Sequence, residues 1–291
     1  MSERWRAFED PRRVLRRHGL HAKRRYSQNF LVSEAVVEAI AAAVAPVAGE
    51  AVVELGPGLG TLTAALLRRG ADVLALELDA DMRAVLAEEL SGAPVRVREG
   101  DAAALDLSAL AAHGALSPAA LPVALAGNLP YAVTGAILQR LVEQASHLDR
   151  AVLMVQREVL LRLVAEPGTK AYGVPSVFVQ ARFEVDALRD VPAGAFFPAP
   201  KVTSAVLRLR PRAVARADET PAFRDVVRAA FGRRRKTLRN ALSVLPVPAP
   251  AVLEVAGIDG VRRGETLSVE EFATLAQAYA TISSQRSPSS T

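Results

Sequence analysis

Val52-Val53-Glu54-Leu55-Gly56-Pro57-Gly58-Leu59-Gly60 carries an apolar run straight into three glycines at alternate positions. Leu62, Leu66 and Leu67 follow at helical spacing, with Thr61 at the mouth of that helix. This order predicts a strand, a tight turn and a helix. Glycine permits the backbone angles of such a turn and lets a ligand lie against bare backbone. The helix that follows points free N–H groups at the same ligand, a site suited to a carboxylate or phosphate. The dinucleotide fingerprint spaces its glycines G-x-G-x-x-G. Here the glycines are one residue tighter, with Glu54 two positions ahead. On the glycines alone three readings stand: a loop for a methionine-linked nucleotide, a loop for another nucleotide, and a structural turn.

Outward from this loop the pattern repeats. Strands are predicted at 51–55, 73–78, 95–98, 123–126 and 151–155, and helices at 61–69, 81–90, 134–145 and 157–165. A helix capped by Ser33 precedes them and should end at Gly49. Strands alternating with helices of this length imply a mostly parallel, doubly wound α/β sheet. Ligands bind such sheets beyond the carboxyl ends of the strands. Glu54, Glu77, Asp101 and Asn128 all fall at those ends. From Tyr172 the pattern changes. Two strands, near 182–191 and 203–210, flank Phe196-Phe197-Pro198-Ala199-Pro200-Lys201 and should extend the sheet antiparallel. A polar linker at 212–221 leads to helices at 222–231, 234–244, 249–256 and 268–282. The expected organisation is a basic lead segment at 1–25, an α/β domain at 26–211, a small all-α domain at 212–282 and a disordered tail at 283–291.

The 291 residues carry a formal charge of +5, unevenly spread. Residues 1–25 hold nine Arg or Lys against three acids, and residues 224–239 hold seven against one. Clustered basic charge suggests a polyanionic partner, above all nucleic acid. The chain has no cysteine, which excludes disulfides, thiolate metal sites and cysteine nucleophiles. His18, His21, His113 and His147 fall into no metal-ligand spacing, so no metal is expected, and His18 and His21 read as surface residues. The start of the chain has no apolar signal core. The longest apolar stretch, Ala35–Gly49, contains Glu38 and Pro46, too polar to span a membrane. A cytoplasmic protein without a membrane partner is expected.

The strand-end residues suit a particular chemistry. An acid at the end of the second strand, Glu77, typically accepts from both ribose hydroxyls of an adenosine ligand. Alternation along the strand points Asp79 elsewhere. Asp101 suits either an adenine amino group or the cap of the segment behind it. Asn128-Leu129-Pro130-Tyr131 combines an amide, a proline-fixed turn and an aromatic ring. Adenine N6 is a poor nucleophile because its lone pair is delocalised into the base. Asn128 and the Leu129 carbonyl could take its two hydrogens and aim the lone pair at a methyl group, while Tyr131 stacks on the ring. No strong general base is needed, since positioning and electrostatics supply the rate. The segment Arg233-Arg234-Arg235-Lys236-Thr237-Leu238-Arg239-Asn240 reads as a basic helix for a phosphate backbone.

Gln28-Asn29-Phe30-Leu31, ELGPGLG at 54–60, Glu77, Gly100-Asp101-Ala102, NLPY at 128–131, FFPAPKV at 196–202 and AFGRRRKTLRNAL at 230–242 stand in one order. As a set they resemble the ribosomal RNA adenine N6,N6-dimethyltransferases of the KsgA (RsmA) type. The resemblance implies a Rossmann-like, S-adenosyl-L-methionine-dependent methyltransferase sheet and a helical RNA-binding domain. The implied activity is dimethylation of two adjacent adenosines in the 3′-terminal hairpin loop of 16S ribosomal RNA, within an immature 30S subunit, by a monomer. The family's cofactor contacts fall on Asn29, Leu31, Glu54, Gly56, Gly58, Gly60, Glu77, Asp101 and Asn128. Its catalytic positions fall on Asn128, Leu129, Pro130, Tyr131 and Phe196, with Phe196 facing the target base opposite Tyr131. Ser27 stands where glycine is common. RNA contacts are expected from Arg233, Arg234, Arg235, Lys236 and Arg239. Three alternatives differ in substrate or chemistry: the related 23S RNA methyltransferase of macrolide resistance, a non-catalytic RNA-binding assembly factor on the same fold, and a nicotinamide oxidoreductase. The glycine spacing argues against the last.

Overall fold

The computed structural model describes residues 4–23, 28–233 and 235–286. Two compact units divide the chain: Met1–Leu160 with Val185–Pro211, and Leu161–Glu184 with Arg212–Thr291. The boundary expected near 211 is therefore only one of several. Residues 161–184, read from the sequence as part of the sheet domain, belong to the helical unit, and the basic lead belongs to the first unit.

The first unit begins with a short helix, Pro11–Arg17 (α1), capped by Asp10. Phe30–Leu31 (β1) and the helix Glu34–Val44 (α2) follow. Ser33 occupies the N-cap position of α2 but makes no side-chain cap bond. The helix stops at Val44 rather than at Gly49, with Ala45 left-handed at φ 48°. Pro46 explains this, since the residue before proline is driven out of the helical region.

The next elements are Ala51–Leu55 (β2), Thr61–Arg68 (α3), Asp72–Glu77 (β3), Ala80–Glu89 (α4), Val95–Glu99 (β4) and Leu107–Ala112 (α5). Val123–Asn128 (β5), Thr134–Glu143 (α6), Leu148–Gln156 (β6) and Arg157–Leu163 (α7) complete the alternation. After the helix Val174–Arg182 (α8) come Phe183–Val191 (β7), Phe196–Phe197 (β8) and Ser204–Pro211 (β9). The seven-stranded sheet has the order β4-β3-β2-β5-β6-β9-β7, parallel from β4 through β6 and antiparallel between β6 and β9. The expected antiparallel extension is present. Strand order reverses between β2 and β5, which opens a crevice at their carboxyl ends.

Val52, Val53 and Leu55 are fully buried, as strands covered on both faces must be. Register sets the strand ends level: Leu55 lies opposite Leu76 on one side and Gly127 on the other, and Glu77 lies opposite Glu99. The loop after β2 turns sharply, with Gly56, Gly58 and Gly60 at φ +63°, +57° and +78°. At Gly60 a Cβ would sit 2.9 Å from Leu86 Cδ2. That glycine lets α3 pack against α4.

In the second unit Pro221–Gly232 (α9), Leu238–Ala241 (α10), Ala249–Ala256 (α11) and Val269–Arg286 (α12) pack together. Phe231 stacks on Phe272 at 5.8 Å between centroids, and Phe178 of α8 meets Phe223 of α9 at 5.9 Å. These contacts explain why the 161–184 segment joins this unit. Ser283–Arg286, expected to be disordered, continue α12. Residues 287–291 lie outside the described residues. No described helix is long and apolar enough to cross a membrane.

Gly60→Ala combines a left-handed backbone with a steric conflict. It should destabilise the protein by about 1–3 kcal/mol, read as a lower denaturation midpoint at unchanged slope.

Candidate active site

A cavity of about 330 Å³ opens at the carboxyl ends of β2, β3, β4 and β5. Its walls include Asn29, Leu31, Glu54, Gly56, Gly58, Glu77, Asp101, Asn128, Leu129, Pro130 and Tyr131, so most of the residues expected from the sequence meet in one place.

Glu77 ends β3 and is 8 % exposed. Its Oε2 accepts from the Gly58 N–H at 3.0 Å and its Oε1 from the Asp79 N–H at 2.9 Å. The carboxylate thus ties the glycine loop to the neighbouring strand. Burial pushes the Glu77 pKa up, and the backbone donors hold it back. A carboxylate offers about four acceptor positions, so two remain for a ligand.

Asp79 does point elsewhere, but not through alternation, which would put residues 77 and 79 on one face: β3 ends at Glu77, and Asp79 already belongs to the start of α4. It caps α4 through the Asp81 N–H, and it accepts from Lys23 Nζ at 2.7 Å and Gln28 Nε2 at 2.9 Å. Lys23 also reaches Asp81. Gln28 is thereby anchored, and β1 behind it lies along the cavity. The Phe30 ring packs against the glycine loop: a Cβ on Gly58 would stand 3.1 Å from Phe30 Cε1. Gln28 lines the cavity and was not among the residues assigned from the sequence.

Asn128 ends β5. Its Nδ2 donates to the Asn29 carbonyl at 2.8 Å, which fixes the amide with Oδ1 as the remaining acceptor. The Leu129 N–H donates to the Met154 carbonyl at 3.1 Å. Two acceptors, Asn128 Oδ1 and the Leu129 carbonyl, thus stand in succession at the strand end. The Tyr131 hydroxyl bonds the Ser204 hydroxyl at 2.6 Å, and Ser204 on β9 is fully buried. Burial raises the Tyr131 pKa, while the Ser204 bond lowers it. Ser204 fixes one end of the ring; the sequence signal was a serine two residues beyond FFPAPKV, which carries no weight alone.

Asp101 acts as a cap and also has a place in the cavity wall. Its Oδ1 accepts from the Ala103 N–H at 2.9 Å.

Two expectations are corrected. Gly60 is absent from the cavity wall and serves helix packing instead. Phe196 is also absent from the wall: it is 4 % exposed and packs in the apolar core with Leu31, Val191 and Val206. The short β1–β8 ladder pairs Leu31 with Phe196 and Phe30 with Phe197, antiparallel. Neighbouring residues on a strand face opposite ways, so Phe196 turns inward and Phe197 outward, where it is 41 % exposed.

Glu54 is the most unusual group. It is 1 % exposed, lines the cavity, and its Oε2 has no hydrogen-bond partner among the described residues. Burial is the main cause that pushes its pKa up to about 8; the Glu77 charge adds to the rise, and the nearby Thr63 hydroxyl opposes it. Glu54 is therefore a neutral acid at pH 7.

The basic segment differs from the expected helix. Arg233 ends α9, and a turn bonds the Lys236 N–H to the Arg233 carbonyl at 2.8 Å. Helix resumes only at Leu238. Buried Leu238 and exposed Arg239 are pinned by backbone bonds to the Arg262 and Gly260 carbonyls. Arg233, Arg235 and Lys236 are exposed on this turn and Arg239 on α10, and Arg234 lies outside the described residues. The lead segment is less free than its charge suggests. Arg12 pairs with Asp10, Arg17 with Glu9 and Glu89, and Lys23 with Asp79 and Asp81. His18, expected at the surface, is mostly buried, with Nε2 2.7 Å from Glu89 Oε1. His18, Glu88 and Glu89 bring ligand-type atoms within 4.8 Å of one another, but Arg17 already neutralises Glu89. Arg24–Ser27 lie outside the described residues.

The raised pKa of Glu54 makes stability depend on pH. The folded protein keeps this proton up to about 8, whereas an unfolded glutamate loses it near 4.5. Between those values the folded state binds more protons, so stability of the ligand-free protein should fall as pH rises, by up to about 1.4 kcal/mol per unit. Glu54→Gln should flatten that slope in denaturant titrations from pH 5 to 8; an unaltered slope would contradict the assignment.

Residues 19–281 match the family described as Ribosomal RNA adenine dimethylase. The chain is 50 % identical to Ribosomal RNA small subunit methyltransferase A from Anaeromyxobacter sp. (strain K), over 92 % of this chain and 97 % of that protein. It is 46 % identical to the protein of the same name from Myxococcus xanthus (strain DK1622), over 93 % and 95 %. Among solved structures it is similar to a dimethyladenosine transferase from Plasmodium falciparum, at TM-score 0.72 and 22 % identity, covering 87 % of this chain and 98 % of that one. It is also similar to the 23S rRNA methyltransferase ErmE, at TM-score 0.61 and 27 % identity, covering 87 % and 100 %. With the strand-end constellation assembled around one cavity, the match across nearly the whole chain shows that it belongs to the ribosomal RNA adenine dimethylase family.

Proposed function

We propose that the cavity binds S-adenosyl-L-methionine and that the chain transfers its methyl groups to N6 of two adjacent adenosines in the 3′-terminal hairpin loop of 16S ribosomal RNA. The substrate is an immature 30S subunit. The observation that carries this reading is the cavity-lining Asn128 amide, whose nitrogen is engaged by the Asn29 carbonyl and whose oxygen is left as an acceptor. An exocyclic amine needs such acceptors, and a ring nitrogen or a hydroxyl oxygen does not need two.

The cavity fits the donor. Glu77 offers acceptor positions for a pair of ribose hydroxyls, the glycine loop offers bare backbone, and Glu54 is an unpaired acid. When bound, S-adenosyl-L-methionine supplies a methyl group made electrophilic by the attached sulfonium. The protein's own work is positioning. Asn128 Oδ1 and the Leu129 carbonyl draw the amine hydrogens and turn the lone pair out of the base plane. Tyr131, held by Ser204, gives the base a face to stack on. A base in duplex or hairpin must leave its stack to arrive there. The amine proton passes to solvent after methyl transfer, and no side chain is needed as a strong base.

The exposed Arg233, Arg235, Lys236 and Arg239 make no salt bridge among the described residues, and we assign them to RNA phosphates together with Arg234. Of the expected readings, the small-subunit substrate agrees with the names of the curated relatives.

Labelled methyl donor with under-methylated 30S subunits should mark two adjacent adenosines near the 3′ end of 16S RNA. No transfer, or label in 23S RNA, would contradict the proposal. Asn128→Ala should lower the single-turnover rate by about 100-fold or more while RNA binding stays near wild type. Replacing Arg235 and Lys236 by alanine should weaken RNA binding and reduce its log–log salt slope by about 0.7–0.9 per lost contact. Equal affinity and parallel slopes would show that this loop is only a solvated face.

A further inference from the structure

Glu54 stands in the cavity wall as a buried acid without a counter-ion among the described residues. It lies on β2 between Ala75 of β3 and Ala126 of β5, both apolar. The helix packed behind the loop, α3, presents Thr63, whose hydroxyl likewise has no hydrogen-bond partner of good geometry. The charged group that acts on it is Glu77 of β3, of like sign. The neighbouring strand-end amide, Asn128, is neutral and is already committed to Asn29. Among the described residues no arginine, lysine or histidine lines the cavity. The carboxyl group in this position is 1 % exposed and has no described cation beside it, so it keeps its proton. That arrangement is unstable toward one kind of ligand, a molecule that brings positive charge into the cavity.

We propose that Glu54 surrenders its proton to solvent when a cationic ligand enters, so that donor binding is coupled to proton release. This rests on the reading that the cavity takes S-adenosyl-L-methionine, whose ammonium and sulfonium groups carry the charge. The balance is one proton lost from the Glu54 carboxylic acid and one carboxylate formed opposite the incoming cation. No covalent step is involved. The direction in pH follows. At pH 7 the empty cavity holds the proton and the filled cavity does not, so binding releases it. Affinity therefore rises with pH, by up to ten-fold per unit, and levels off above about 8, where the empty protein is already ionised. The device would also make the site weaker toward neutral nucleosides, which bring no charge to offset the ionisation.

Calorimetric titration of the full-length protein with S-adenosyl-L-methionine, in buffers of matched pH and different ionisation enthalpy, reads the proton count directly. At pH 7 the wild type should release close to one proton, and the count should fall as the pH rises through 8. Glu54→Gln, nearly isosteric, should bind with no release at pH 7 and with affinity independent of pH from 6 to 8. The wild-type buffer series stands without any variant, so a folding defect in Glu54→Gln would not leave the outcome open. Binding at pH 7 without proton release would overturn this inference alone, as would equal release by wild type and Glu54→Gln, which would move the proton to Glu77. Absence of any binding would overturn the cofactor reading and this inference with it.

Discussion

Two backbone N–H groups, from Gly58 and Asp79, converge on the Glu77 carboxylate, and the cavity depends on that convergence. One bond reaches across from the glycine loop after β2; the other closes the turn after β3. Hydrogen bonds to an ionised acceptor are among the stronger ones in proteins, at about 1.5–3 kcal/mol each. They hold open a loop whose glycines have left-handed backbone angles and little conformational preference of their own. The same carboxylate keeps unused acceptor positions directed at the ligand space. Structure and recognition thus share one side chain, and a change at Glu77 affects both.

The electrostatic character of the cavity follows from where the sheet ends. Level strand ends deliver Glu54, Glu77, Asp101 and Asn128 to one rim. Glu54 is a neutral acid through burial. Asn128 is an acceptor through its bond to Asn29. Tyr131 is oriented by Ser204. The site is built to place a weak nucleophile and to stabilise positive charge, which is what methyl transfer from a sulfonium to an amine demands. The lead segment contributes by fastening rather than by free charge: Lys23 and Gln28 secure Asp79, and Phe30 packs on the loop glycine.

Much of this was legible in the sequence because it depends on short-range pattern. Apolar runs that end in Glu54, Glu77 and Asn128 announce parallel strands, and the register that levels them follows from the buried faces. What depended on pairing between distant segments was not legible. Phe196 and Phe197 are indistinguishable as letters. Their opposite orientations are set by the ladder with Phe30 and Leu31, far away in the chain. The allegiance of residues 161–184 to the helical unit is likewise set by aromatic contacts such as Phe178 with Phe223. The basic run 233–240 has helix-compatible residues, yet its centre is a turn, since backbone bonds to Gly260 and Arg262 fix Arg239 and Leu238. The burial of Glu54 could be expected from its strand; its missing hydrogen-bond partner could not.

Glu77 is the side chain around which a cavity suited to an adenosine-bearing methyl donor is organised. Equilibrium binding of S-adenosyl-L-methionine to Glu77→Ala, with folding checked by circular dichroism, tests it most directly. The expected result is a loss of affinity of about ten-fold or more, because two ribose hydroxyls lose their carboxylate acceptor. Unchanged affinity in the folded variant would contradict it.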